Sequence, residues 1–361
     1  MPKVKRIKSS SLAEQVKSKS KLSIKKEVKK EKEEKSAGDY KGNMELLTST
    51  GSTLLDLAIS GGVSKYGGIP AGIFVELFGP NSSGKTVLML EIGGYLQRNG
   101  GEHKFEDAEA RLNKGFANQF GFKIDPNNVD EPDTVSEVFQ NYREWNPPEN
   151  GKVHGYFIDS IAALSTKMEM EKAEGDKMGA RGPKELSAGF RKTCRIIKKK
   201  NHLMIASNQI RDNFATIGEK FTTPGGHAAE FYASLRLRLF KAEKVKTKEK
   251  QIGKKKIKKV IGTKVKIEVY KNSCDVAHRT AEIYIMNGYG IDDIRANLQF
   301  IKDFTTNKTF QIGDIKLSNE LEASIQKVEN DGLESKLKKE VVKLWNEIEE
   351  KFKIERKPKK R

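Results

Sequence analysis

An α/β fold with a mostly parallel central sheet around a nucleotide-phosphate loop is predicted by three observations. Gly79-Pro80-Asn81-Ser82-Ser83-Gly84-Lys85-Thr86 is a complete glycine-rich phosphate loop. The apolar run Ile73–Phe78 before it reads as a strand, and Val87–Ile92 after it opens a helical pattern. From Met44 onward, short apolar runs alternate with amphipathic segments, the pattern of parallel strands joined by helical crossovers. Strand, loop and helix in that order aim backbone N–H groups and a helix N-terminus at bound phosphate. Lys85 is placed to reach the β- and γ-phosphates of ATP, and the Thr86 hydroxyl to take a position on Mg²⁺.

After the phosphate loop, Val153–Ile158 and Leu203–Ala206 read as interior strands ending in Asp159-Ser160 and Ser207-Asn208-Gln209. Open α/β sheets gather their chemistry at the carboxyl ends of strands, so these endings are candidate site residues. Asp159 suits the acidic residue that holds Mg²⁺ beside Thr86. Lys184–Lys200 has helical character with a basic face, and Ala233–Phe240, Lys264–Tyr270 and Ala281–Met286 read as further strands. The lysine-rich excursion Lys241–Thr263 between two of them projects as a hairpin or loop. Leu317–Asn330 and Leu333–Phe352 read as helices before a basic tail, Lys353–Arg361. The organisation is therefore a basic arm and linker (1–43), a nucleotide-binding core (44–290) and a small C-terminal domain (291–361).

The 361 residues carry 68 Lys/Arg against 49 Asp/Glu, a net charge of +19, which favours a polyanionic partner. Residues 1–36 hold 13 Lys/Arg and 5 Glu with few large apolar side chains, so this arm cannot bury enough surface to order itself. Two cysteines, Cys194 and Cys274, lie in no CxxC or His/Cys cluster, which argues against disulfide frameworks and zinc sites. No run of about 18 apolar residues and no secretory h-region is present. The expected setting is cytoplasmic, nucleoid-associated in a bacterium or in the host cytoplasm for a phage protein, with no membrane partner.

Five motifs occur together: Gly79–Thr86, Phe105-Glu106-Asp107-Ala108-Glu109, Phe157–Leu164, Asn208-Gln209-Ile210-Arg211 and Thr223–Ser234. Their order and approximate spacing resemble the RecA recombinases, from about Leu47 to Ile291. The resemblance implies a RecA-like P-loop NTPase core using ATP and Mg²⁺. It also implies helical filaments on single-stranded DNA, pairing with double-stranded DNA and strand exchange, with loader or single-strand-binding proteins as further partners. Glu109, which alone would read as a surface acid, matches the carboxylate that polarises the attacking water. Gln209 matches the residue that contacts the γ-phosphate and reports it to the DNA loops, and Phe116 falls where an aromatic ring stacks on adenine. Two stretches resemble the DNA-binding loops. Glu174–Lys184 carries Met178, Arg181 and Lys184 ahead of Arg191; Asp212–Gly226 carries Phe214, a base-wedging position, and Gly225 and Gly226.

The sequence also departs from the family pattern. The Lys-Asn-Lys unit that reaches a neighbour's ATP is Lys271-Asn272-Ser273 here, with one cation missing. The C-terminus is basic where many relatives are acidic. Val63–Gly68 and 241–263 read as lineage-specific additions, and Leu22-Ser23-Ile24 is only a candidate polymerisation strand. Two other readings stay open: a RecA-fold ring motor or regulatory ATPase without strand exchange, and a DNA-coating protein using nucleotide as a structural ligand. The DNA loops and Lys271 oppose the first; Glu109 opposes the second.

The tail gives a direct test of charge. Deleting Lys353–Arg361 removes six Lys/Arg. If the tail contacts single-stranded DNA, the slope of log affinity against log salt becomes shallower by about 0.7 per lost contact, equally on all sequences. An unchanged slope means that the tail is merely solvated.

Overall fold

A computed structural model describes residues 42–166, 170, 181–212, 221–247, 249–353 and 355–356. Its spine is a sheet whose strands are β1 (Ile73–Gly79), β2 (His103–Glu106), β3 (Val129–Asp130), β4 (Gly155–Ile158), β5 (Leu203–Gln209), β6 (Leu235–Leu239), β7 (Glu243–Lys246), β8 (Val260–Asn272), β9 (Thr280–Met286) and β10 (Gly290–Ile291). The order is β10-β9-β8-β6-β1-β5-β4-β2-β3, with β7 also pairing β8. From β6 to β3 all neighbours are parallel; β8, β9, β10 and β7 add an antiparallel extension.

Side-chain alternation along the strands divides the core into two layers. Phe74, Tyr156, Ile158, Met204 and Ala206 lie in one apolar cluster with residues of α4 (Val135–Glu144), α5 (Arg181–Lys200) and α6 (His227–Tyr232). Phe190 of α5 stacks on Phe74 at 4.4 Å between centroids and meets Phe139 of α4 edge-on at 5.1 Å. The helix α4 starts from a Thr134–Glu137 capping box, which satisfies two otherwise unpaired N–H groups. On the other face runs α2 (Lys85–Arg98). A Cβ at its Gly93 would lie 2.4 Å from Phe122, so only glycine permits this approach of the ring.

Outside these layers, α1 (Thr53–Ser60) is buried along its whole length. It is followed in chain order by the short α3 (Lys114–Gln119) and, after the sheet, by α7 (Asp293–Asp303), α8 (Leu321–Asn330) and α9 (Glu334–Lys351). Both α7 and α9 contact α1, and Arg279, just before β9, binds Glu349 of α9 through Nε at 3.1 Å and a terminal nitrogen at 2.6 Å.

The 241–263 excursion is a two-stranded ribbon. β7 pairs with the start of β8, and Lys250–Ile252 pairs with Lys255–Ile257 beyond it. Ten lysines and two glutamates occupy 241–259, and every residue from 249 to 260 is exposed. The helix expected from Leu317 begins instead at Leu321. Gln311–Ile312 and Ile315–Lys316 form a hairpin, and Leu317 donates its N–H to Phe310 O at 2.9 Å. The segment 63–68 forms turns. Leu22–Ile24 lies outside the described residues.

One buried polar cluster ties the parallel strands together. Glu76 on β1 stands in register with Arg236 on β6, and Arg236 Nε donates to Glu76 Oε2 at 2.6 Å. Asn208 on β5 donates to Glu76 Oε1 at 2.9 Å. All three side chains are buried, and the guanidinium lies 4.5 Å from the Phe78 ring centroid. Removing one partner of a buried pair leaves an uncompensated charge. Arg236→Met is therefore expected to destabilise the fold by about 3–5 kcal/mol in urea unfolding, with much of that recovered in Glu76→Gln/Arg236→Met. A small effect of the single substitution would show that water or another cation replaces the arginine.

Candidate functional site

The carboxyl ends of β1, β4 and β5 meet at one sheet edge because the strands run in register, with Gly79 beside Gln209 and Ile158 beside Ala206. A cleft of about 880 Å³ opens there, lined by Asn81–Val87, Asp107, Glu109, Arg111, Phe116, Asp159 and Gln209, with Thr263 and Ile285 from the antiparallel extension. Gly79 and Pro80 lead into the loop. Gly84 has φ +92°, and a Cβ there would lie 2.7 Å from Ile285, so the turn into α2 requires glycine. Lys85 Nζ donates to the carbonyls of Gly79 (3.1 Å) and Pro80 (2.9 Å). Burial lowers the Lys85 pKa, opposed by the charges of Asp159 and Glu109. Ser83 Oγ is buried without a partner among the described residues, a polar atom with capacity left for a ligand.

Across the cleft, Thr86 Oγ1 donates to Asp159 Oδ2 at 2.6 Å, and the Ser207 hydroxyl donates to Asp159 Oδ1. Burial raises the Asp159 pKa; the two hydroxyls lower it, and Glu109 and Asp107 raise it further. Such a site favours a cation. A carboxylate and a hydroxyl are hard oxygen donors, and Mg²⁺ takes one or two such protein groups together with phosphate and water. Thr86 and Asp159 therefore fit Mg²⁺. No group of three or more His, Cys, Asp or Glu placed to hold a metal ion occurs among the described residues.

Glu109 sits on a loop organised by Asp107, a motif residue to which the sequence alone gives no role. Asp107 accepts from Leu112 N at 2.7 Å through its carboxylate and from Ala110 N at 3.0 Å through its carbonyl. Ser160 Oγ donates to Glu109 Oε1 at 2.9 Å, and Arg111 Nη1 lies 3.1 Å from Oε2. Of the remaining expected residues, Phe116 lines the cleft, 40% exposed and edge-on to Phe120. Gln209 lines it too, and its N–H binds Asn208 Oδ1 at 3.0 Å.

Lys271 stands apart from this cleft, donating to the carbonyls of Glu230 (2.7 Å) and Phe231 (3.1 Å). Lys184 and Arg191 are exposed on α5. They line a shallow groove with His227 and Phe231, and Phe231 is 74% exposed. Gly225 and Gly226 have φ +84° and +63°. Arg181 opens α5; Met178 and Phe214 lie outside the described residues. No helix among the described residues is long and apolar enough to cross a membrane.

Comparison with known proteins places these features in a family. The description "RecA N-terminal domain" matches residues 17–292, beginning well before the resemblance legible in the motifs. Protein RecA of Staphylococcus aureus strain JH9 is 36% identical over 261 residues, covering 70% of this chain and 69% of that relative. The same protein from strain Newman gives the same figures. Among solved structures, the crystal structure of the RadB recombinase aligns with a TM-score of 0.46 and 20% identity, over 68% of this chain and 98% of that one.

The strand feeding the Glu109 loop carries a titratable device. Glu106, fully buried at the end of β2, accepts from the Tyr156 hydroxyl and from Asn141 Nδ2 at 3.1 Å. Burial pushes its carboxyl from 4.5 up to about 7, against those hydrogen bonds. A raised folded-state pKa means that its stability contribution is complete below about pH 4.5 and is lost as pH rises through about 7. Glu106→Gln stays neutral, so at pH 8 it is expected to be more stable than the parent by at most about 3 kcal/mol, with the gap closing toward pH 5. Parallel stability curves for the two proteins would contradict this.

Proposed function

The chain belongs to the RecA family, and on that footing we propose that it is a DNA-dependent ATPase and homologous recombinase. It assembles head to tail on single-stranded DNA, pairs that strand with homologous duplex and exchanges strands. The observation that carries this reading is the cleft in which Lys85, the Thr86–Asp159 pair and Glu109 face one another across the phosphate loop. Simple nucleotide binding requires no carboxylate held opposite the lysine by a dedicated serine.

Lys85 would leave its carbonyl partners for the β- and γ-phosphates, exchanging neutral hydrogen bonds for charge-assisted ones. Mg²⁺ held by Thr86 and Asp159 would supply charge neutralisation at the phosphates. Glu109, oriented by Ser160, holds the attacking water by its proton. Gln209, beside Gly79, faces the γ-phosphate; through Asn208 its strand reaches Pro224 O, which accepts from Asn208 Nδ2 at 3.1 Å at the foot of the second DNA loop. Phe116 stacks on the adenine.

Met178, Arg181, Lys184 and Arg191 act on the DNA backbone from the first loop and α5. Phe214 wedges between bases, a contact whose unstacking cost is a few kcal/mol, roughly; Gly225 and Gly226 bring backbone close to phosphate. Lys271 reaches the nucleotide of the next subunit, and the exposed ribbon adds charge toward phosphate without reading sequence. Head-to-tail contacts that do not close give an open filament rather than a ring. The setting is the cytoplasm.

ATP turnover with and without single-stranded DNA tests the reading. Lys85→Ala is expected to abolish nucleotide-dependent DNA binding and hydrolysis. Glu109→Gln should keep ATP and DNA binding while turnover falls about 10²-fold or more. Normal turnover in Lys85→Ala would end the phosphate-loop assignment; normal turnover in Glu109→Gln would place the water elsewhere.

A further inference from the structure

Arg111 lines the same cleft as Lys85 and the phosphate loop, and no motif includes it. Its neighbour Ala110 has φ +52°, a left-handed conformation costing a non-glycine residue about 1 kcal/mol or more. The surroundings impose it. Glu109 N donates to Asp159 O at 3.3 Å, Ala110 N to Asp107 O at 3.0 Å, and Leu112 N to the Asp107 carboxylate at 2.7 Å. Asp107 N is itself tied to Asp130 O at 2.8 Å. Across this strained residue the side chains of Glu109 and Arg111 come together, with 3.1 Å between nitrogen and oxygen. Strain held this firmly beside a reacting group is typical of functional loops.

Both Glu109 oxygens are engaged, one by Ser160 and one by Arg111. A carboxylate so occupied is a poor acceptor for a water proton. The two partners differ in how easily they let go. Ser160 is buried, whereas the Arg111 side chain is 81% exposed, and such surface ion pairs are weak. The cleft holds three carboxylates (Asp107, Glu109 and Asp159) against two cations (Lys85 and Arg111). A γ-phosphate offers a guanidinium a fork of charged oxygens that outcompetes a single carboxylate contact.

We propose that Arg111 is a catalytic residue supplied within the same chain: it holds Glu109 before nucleotide binds, then moves to the γ-phosphate and frees Glu109 for the water. This rests on the ATPase reading above. In the reaction, the water oxygen bonds to the γ-phosphorus as the bond from phosphorus to the β–γ bridging oxygen breaks. The electron pair leaves with ADP, and the water's proton passes to Glu109 and then to solvent. Arg111 neutralises charge on the equatorial oxygens, the work of an arginine finger, and its departure from Glu109 couples that carboxylate's release to the presence of a third phosphate.

The test is calorimetric binding of ADP and of a slowly hydrolysed ATP analogue to the full chain, with turnover as a second readout. In Arg111→Ala, analogue affinity is expected to fall about 10-fold with ADP affinity unchanged, and turnover to fall about 10³-fold, the lower range for arginine fingers. Arg111→Lys should recover part of the analogue affinity, since a point charge replaces a fork. Glu109→Gln should tighten analogue binding several-fold, and that gain should vanish in Glu109→Gln/Arg111→Ala, the coupling expected of two groups that share a partner. Equal losses for ADP and analogue, or no loss for either, would overturn the proposal. So would faster turnover in Arg111→Ala, which would make the arginine only a brake on Glu109. If the parent protein itself neither binds the analogue nor hydrolyses ATP, the ATPase reading fails first and this inference falls with it.

Discussion

Parallel register is the constraint on which the rest of the molecule depends. Seven residue pairs align β1 with β5, and four align β4 with β5. That alignment brings the phosphate loop, Asp159 and Gln209 to one edge although they are far apart in sequence. Slipping one strand by a residue would move each of its side chains to the opposite core layer, mismatching the packing on both faces, and carry Asp159 away from Thr86. The Glu76–Arg236–Asn208 cluster reinforces the same register from beneath, where β6, β1 and β5 lie side by side.

The cluster also sets the chemistry next to it. Asn208 binds Glu76, carries the N–H of Gln209 and reaches Pro224 O. Arg236 continues to Glu230 at 3.0 Å, and the Glu230 carbonyl receives Lys271. A contiguous set of hydrogen bonds and ion pairs thus joins the edge of the cleft to the foot of the second proposed DNA loop and to Lys271, the lysine proposed to reach a neighbouring subunit's nucleotide. It is a physical connection; the coupling energy it carries is a matter for double-substitution cycles.

Local order was what the sequence could disclose. The phosphate loop, Asp159 and the strands β1, β4, β5, β6, β8 and β9 are legible because each is a short run with its own pattern, whereas β2, β3 and β7, of two to four residues, are too short to show one; Glu109 becomes legible only through its motif. α1 was missed because every residue in it is buried, leaving no amphipathic periodicity to read. Asp107 looked like one acid of a motif, yet its role lies in two backbone contacts that need three dimensions. Glu76 and Arg236 are separated by 160 residues, and only strand order makes them partners. Arg111 carries no signal beyond its charge until the turn at Ala110 places it against Glu109. The apolar run Val153–Ile158 is longer than the strand it contains, which starts at Gly155, where pairing with β2 and β5 begins.

Electron cryo-microscopy of the full chain with single-stranded DNA, Mg²⁺ and a slowly hydrolysed ATP analogue tests the central claim most directly. An open helical filament is expected, with the analogue's phosphates on Gly79–Thr86, Lys85 turned from its carbonyl partners toward them, and DNA along the edge where the loops after β4 and β5 emerge. A closed ring, or nucleotide bound away from the phosphate loop, contradicts it.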